Sequence, residues 1–181
     1  ALWYLHELGL ADDRADEVAA RLMGWQWPDG GWNCDRTLSA RTSSVQETLI
    51  PLRGLARHAR SGHHNPAIAA AVDRASEFLL ERRLLWRQRD GEPIRPSWGG
   101  DPLLIQWPIR FYDVLSALVV MAEMGLIRDP RCAPALDLLE RKRLADGMFP
   151  VEWTNTKMAD HIVSRGTYAD WGPLSKRRGN P

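Results

Sequence analysis

The chain has 181 residues, 44% of them apolar and 26% charged, a globular composition rather than a disordered or fibrous one. A formal net charge of +1 gives no broad electrostatic footprint for nucleic acid or a membrane surface. Two cysteines, Cys34 and Cys132, are too few for a disulfide framework. The longest apolar stretch, around Val114 to Ala122, falls far short of the roughly 20 residues of a membrane span, and no secretory signal pattern opens the chain. A cytoplasmic location is the resulting expectation.

Apolar periodicity and capping signals predict six helices in chain order: 1–8, 13–26, 44–60, 66–87, 109–124 and 130–144. The first begins at the first residue, without an initiator Met, which suggests a piece of a longer chain. Val18, Leu22 and Trp25 fall on one face of the second helix. Ser44 with Glu47 reads as a capping box opening the third, and Pro51 is expected to kink it. Asn65-Pro66 and Asp129-Pro130 pair a capping side chain with proline at the first helical position. Phe111, Leu115, Leu118 and Ala122 keep a helical period in the fifth helix, as do Leu136, Leu139 and the stem of Arg143 in the sixth. Leu22, Leu49, Phe78, Leu115, Leu118 and Leu139 are the expected core between helix layers. No strand pattern stands out.

The chain repeats itself. Asp-Gly pairs stand at Asp29, Asp90 and Asp146, 61 and 56 residues apart. Upstream, Glu7-Leu8-Gly9-Leu10 recurs as Glu123-Met124-Gly125-Leu126, offset by 116 residues against 117 for the Asp-Gly pairs. Gly54-Leu55 before Asn65-Pro66 supplies a weaker middle copy. Each unit reads as a helical hairpin: a helix ending in Gly-Leu, a capped second helix, then an Asp-Gly turn. Glycine allows the positive φ that such turns need, and Asp29 can bond back to nearby backbone N–H groups. The connections 27–42, 88–108 and 145–175 are long for helix–helix links and hold most of the tryptophans.

Gln26-Trp27-Pro28-Asp29-Gly30-Gly31-Trp32 resembles the Gln-to-Trp repeat of squalene–hopene cyclases and related triterpene cyclases, and the Asp-Gly-Gly-aromatic turn of protein prenyltransferase β subunits. Arg143 to Phe149 is a degenerate copy, and the middle unit keeps only Asp90-Gly91. The resemblance implies an all-α fold: an α/α-toroid-type repeat over residues 1–181, with three helical hairpins forming half or a fragment of a full ring. It further implies an isoprenoid or similar apolar ligand in a central cavity. Closure would come from missing repeats or from a further copy in a homo-oligomer.

The chemistry is less defined. The Asp-x-Asp-Asp motif with which triterpene cyclases protonate an alkene is missing, and Asp113 is the nearest lone carboxylate on an inner helix; the competing role is a helix-start hydrogen bond. Asp12, Asp13 and Asp16 match an Asp-Asp-x-x-Asp magnesium–diphosphate pattern, but they fall at the cap of an outer helix, where acids favour the helix N-terminus. Cys34, Asp35, His58, His63, His64 and His161 are zinc-type ligands whose spacing does not follow the zinc motif of prenyltransferases, so no metal site is assigned. No cofactor is named by these residues. The expected cavity mouth, at the N-termini of the inner helices, presents Ser44, Glu47, Trp107, Arg110 and Tyr112 with Trp32 and Trp98. Whether catalysis occurs stays open, and two further readings stand beside the first: a non-catalytic peptide- or protein-binding scaffold, and a carbohydrate-active enzyme with paired carboxylates.

Overall fold

The computed structural model describes residues 1–35, 37, 39–63, 65–95, 100–106 and 111–153. These form six α-helices: α1 (Leu2–Glu7), α2 (Arg14–Gly24), α3 (Val45–Arg60), α4 (Pro66–Leu80), α5 (Val114–Glu123) and α6 (Ala133–Glu140). A 3-10 turn, Pro130–Cys132, leads into α6. Among the described residues the only β-type pairings are three isolated bridges. The protein is therefore all-α. None of these helices is long and apolar enough to cross a membrane.

The helices pair as α1/α2, α3/α4 and α5/α6. In one layer α3 packs against both α1 and α5, while in the other α2 packs against α4. The core follows from this: Leu49, Leu52 and Leu55 on α3 meet Ala71, Ala75, Phe78 and Leu79 on α4, and Val114, Ala117, Leu118 and Met121 extend it along α5. Arg53 ties one layer together. Its guanidinium lies 3.8 Å over the Trp3 ring of α1 and pairs with Glu123 of α5 (Nε to Oε2, 2.6 Å). Of the six expected core residues, Leu49, Phe78 and Leu118 are buried. Leu22, Leu115 and Leu139 are only partly so and lie at the core's margin.

Backbone geometry repeats at the spacings of the sequence. At the end of α1, Gly9 N–H donates to His6 O and Leu10 N–H to Leu5 O; at the end of α5, Gly125 and Leu126 donate to Ala122 and Met121. Both glycines have positive φ, +66° and +75°, as a left-handed helix terminator requires. The Asp-Gly turns repeat too. Trp27 N–H donates to Gly31 O and Gly30 N–H to Trp27 O; 117 residues on, Leu144 and Gly147 bond to Met148 and Leu144 in the same way. The middle turn is one residue wider, Arg87 donating to Glu92 O and Gly91 to Arg87 O.

The middle unit corrects one assignment. Gly54 does not end a helix: it lies inside α3, where an added Cβ would meet Leu2 Cβ at 3.3 Å, so it is the point of close approach to α1. The terminator is Gly62, at φ +97°. Helix α3 continues through Pro51 to Arg60. The largest boundary shifts are also inward. Helix α4 stops at Leu80 rather than residue 87, α5 starts at Val114 rather than residue 109, and α6 stops at Glu140 rather than residue 144.

Candidate functional site

The turn from Gln26 to Trp32 is a three-way joint. Gln26 Nε2 donates to Gly30 O (2.7 Å) and to Ala71 O of α4 (2.8 Å). Trp32 Nε1 donates to Leu22 O of α2 (2.8 Å), and Trp32 N–H donates to Thr48 Oγ1 of α3 (3.0 Å). The turn thus staples the first hairpin to α3 and α4, and Trp32 is buried inside it. Asp29 reaches further than a local turn: its carboxylate accepts from Ser43 N–H (2.7 Å) and Ser43 Oγ (2.5 Å). It therefore fixes the residues that open α3, whereas Asp90 and Asp146 accept from amides of their own turns.

A cavity of about 480 Å³ opens beside that start of α3. Ser43, Ser44 and Gln46 form one wall, Tyr112 and Pro102 another, and Arg82, Arg87 and Arg89 a third. Ser44 caps α3 by accepting from Glu47 N–H. First-turn amides have no acceptor within their own helix, so the helix presents partial positive charge at this end.

Tyr112 holds the walls together. Its N–H donates to Gln46 Oε1 (2.6 Å) and its hydroxyl to Leu84 O (2.6 Å). Burial pushes the phenol far above its ordinary range, so it stays a neutral donor. The Leu84 carbonyl belongs to an unusual turn. Arg83 and Leu84 adopt φ +44° and +69°, a conformation that L side chains resist. Burial of Leu84 and Leu85, the bond from Leu84 N–H to Leu79 O (3.0 Å) and the Tyr112 hydroxyl hold them there. This turn ends α4 early and sets Arg82, Arg87 and Arg89 around the cavity. Arg82 lies 3.7 Å over the Phe78 ring and donates to Phe78 O (2.6 Å). Burial lowers its pKa from the ordinary value, but a guanidinium remains a cation at neutral pH. Asp90 sits 3.0 Å from Arg87 Nε and 2.9 Å from Arg89 Nε.

Of the residues singled out in the sequence, Ser44 and Tyr112 line the cavity. Trp32 does not; it is committed to the hairpin joint. Glu47 turns away: Glu47 Oε2 accepts from Cys34 N–H (3.2 Å), so the capping box is completed only on the Ser44 side. This hydrogen-bonded carboxylate raises the exposed Cys34 thiol above its usual pKa. Asp113 is fully buried as the N-cap of α5. Its Oδ1 accepts from Ser116 N–H (2.7 Å) and its Oδ2 from Gln106 N–H (2.9 Å), and Ser116 Oγ accepts from Asp113 N–H. That is the hydrogen-bonding role, and burial raises its pKa. Trp98, Trp107 and Arg110 lie outside the described residues, as do His64 and His161. The sequence missed Arg82, Arg87 and Arg89, because 81–87 reads as uninterrupted helix with no glycine or proline to end it.

Near the other end of α3, Asp16 of α2 leaves the Asp12-Asp13 cap and joins two histidines. His58 Nε2 lies 3.1 Å and His63 Nδ1 2.8 Å from Asp16 Oδ1. Asp12 instead pairs with Arg14. His6 Nε2 lies 2.8 Å from His58 Nδ1. Burial first, then the neighbouring histidines, lowers the His58 pKa.

Comparison with known protein families, curated proteins and solved structures gives no match. The residues themselves carry the functional reading.

Proposed function

We propose that this protein is a repeat domain of the terpenoid-cyclase and prenyltransferase kind, an α/α toroid or a part of one. Its ligand has an anionic head and an apolar body, the chemistry of an isoprenoid diphosphate. The observation that carries this is the cavity beside α3, whose lining combines Arg82, Arg87 and Arg89 and the N-terminal turn of that helix with Tyr112, Ile94 and Pro102. Guanidinium groups and a helix N-terminus both favour a phosphate or carboxylate, and the apolar lining suits a hydrocarbon chain. The repeated hairpin turns support the architecture. No carboxylate lines this cavity among the described residues, so the paired-acid chemistry of a glycosidase finds no support there.

A second observation favours the scaffold reading for another surface. Tyr4, Leu8, Leu10, Trp25 and Ile50 are large apolar side chains left exposed, all but Ile50 on the first hairpin and its turns. Exposed apolar groups gathered on an end hairpin suit a neighbouring repeat or a partner chain.

Thermal unfolding with geranylgeranyl diphosphate, with inorganic diphosphate and without ligand tests the cavity. At about 100 times its dissociation constant a ligand adds about 2.7 kcal/mol, or roughly 5–10 °C in Tm for a chain of this size. The lipid diphosphate should give that shift, and Arg87→Ala should abolish it. A shift of equal size in the variant, or none in the parent protein, overturns the proposal and moves the search to protein partners.

A further inference from the structure

The cluster of Asp16, His58 and His63 is independent of the cavity above and of any isoprenoid. We propose that these three side chains hold a divalent transition-metal ion of the zinc class, with His6 bonded to the far nitrogen of His58.

Three separate segments bring the ligands together: α2 supplies Asp16, α3 supplies His58, and the turn after Gly62 supplies His63. One donor atom from each lies within 4.8 Å of the other two. Ligands of a tetrahedral zinc site bind at about 2.0–2.1 Å, which places them about 3.3 Å from one another. Two of the three separations, 3.1 and 2.8 Å, are already close to that. The His58 and His63 rings are stacked, with centroids 4.3 Å apart and planes 20° from parallel, so His63 must turn out of the stack for both lone pairs to meet one ion. His63 is the movable partner, 41% exposed on a turn, whereas His58 is 1% exposed and fixed.

His58 is oriented as a ligand should be. An ion that replaces the Nε2–H facing Asp16 would leave His58 Nδ1–H to donate to His6 Nε2, a bond that also sets the ring's orientation. The nearby cation Arg57 is already paired with Glu7 (2.5 Å). Two imidazoles and one carboxylate suit zinc and its transition-metal neighbours, whereas magnesium and calcium prefer oxygen-only sets. The three groups border a cavity of about 310 Å³ that Asn65, Met23 and Ile68 also line, leaving room for water or an external ligand at a fourth position.

The test uses the full 181-residue chain, stripped with chelator and titrated with Zn²⁺ by calorimetry and with Co²⁺ by visible absorption. One equivalent of Zn²⁺, a rise in Tm and a Co²⁺ ligand-field band are expected. Asp16→Asn and His63→Ala change exposed groups and should fold, as circular dichroism will verify, yet lose the band and weaken binding by about 100-fold or more. His6→Gln removes only the outer partner and should weaken it by about 10–100-fold. No uptake by the parent chain overturns the proposal. So does uptake that Asp16→Asn and His63→Ala leave intact, or that Cys34→Ser abolishes.

Discussion

Replacing Gly30 and Gly147 by alanine separates two costs that one glycine hides. Both residues occupy the same place in the repeated turn, at φ +94° and +84°. An alanine forced into that region costs roughly 1–2 kcal/mol, partly offset by the smaller entropy of its unfolded chain. At Gly147 nothing lies within 4 Å of the added Cβ, so this backbone term is the whole effect. At Gly30 the Cβ would stand 2.5 Å from Arg74 O and 2.9 Å from Arg74 C. A backbone carbonyl inside α4 cannot rotate away, so the turn and α4 must part, and overpacking of this kind costs about 1–3 kcal/mol more. The separation also strains the two bonds from Gln26 Nε2, which end on Gly30 O and Ala71 O. Gly30→Ala should therefore lose about 2–5 kcal/mol and Gly147→Ala about 1–2 kcal/mol. Urea unfolding followed by circular dichroism reads both, with unchanged slopes as the check on cooperativity. Equal losses at the two sites would show that the first turn does not seat against α4, and the hairpin joint would be wrong.

Tyr112→Phe keeps the buried ring but removes the donor to Leu84 O, leaving a buried carbonyl unsatisfied in a turn of unfavourable φ; a loss of about 1–3 kcal/mol is expected in the same urea assay. A loss below about 0.5 kcal/mol would mean that the early end of α4 does not depend on Tyr112. Acid titration tests the clamp of Arg131 on Asp129 and Glu77. Hydrogen bonds from Arg131 lower Asp129 to about 2 from the usual 3.8 and hold Glu77 below its usual 4.5. Carboxylates with depressed folded-state pKa values contribute stability that is present above the ordinary values and lost as pH falls through the folded ones. The parent chain should lose this contribution between pH 4.5 and about 2, and Arg131→Ala should show a shallower decline over that window. Superimposable pH profiles would count against the clamp.

Local chemistry was legible in the sequence because it acts over a few residues. Helix starts at Ser44, Asn65 and Asp129 are capped by the side chains that their types announce, through Glu47, Ala67 and Arg131 amides. Gly9, Gly30, Gly91, Gly125 and Gly147 take the positive φ that the turn pattern demanded. The 116- and 117-residue offsets reappear as matched backbone hydrogen bonds. Where a side chain ends up across the fold was not legible. Asp29 serves Ser43, Glu47 serves the Cys34 amide, and Asp113 is closed in by Ser116 and Gln106. Each could have bonded locally; the partner was selected by which segments packing brought near. The end of α4 is the clearest case. Residues 81–87 carry good helix formers, yet burying Leu84 and Leu85 and meeting the Tyr112 hydroxyl outweighs propensities worth only tenths of a kcal/mol per residue. Likewise, Asp16 lies more than 40 residues from His58 and His63 in the chain, and only the packing of α2 against α3 makes them neighbours. The sequence alone determined the helices, their turns and their repetition, because those depend on backbone freedom and near neighbours. The tertiary structure alone decided which charges and ring nitrogens face one another, because that depends on how the hairpins bury their apolar faces.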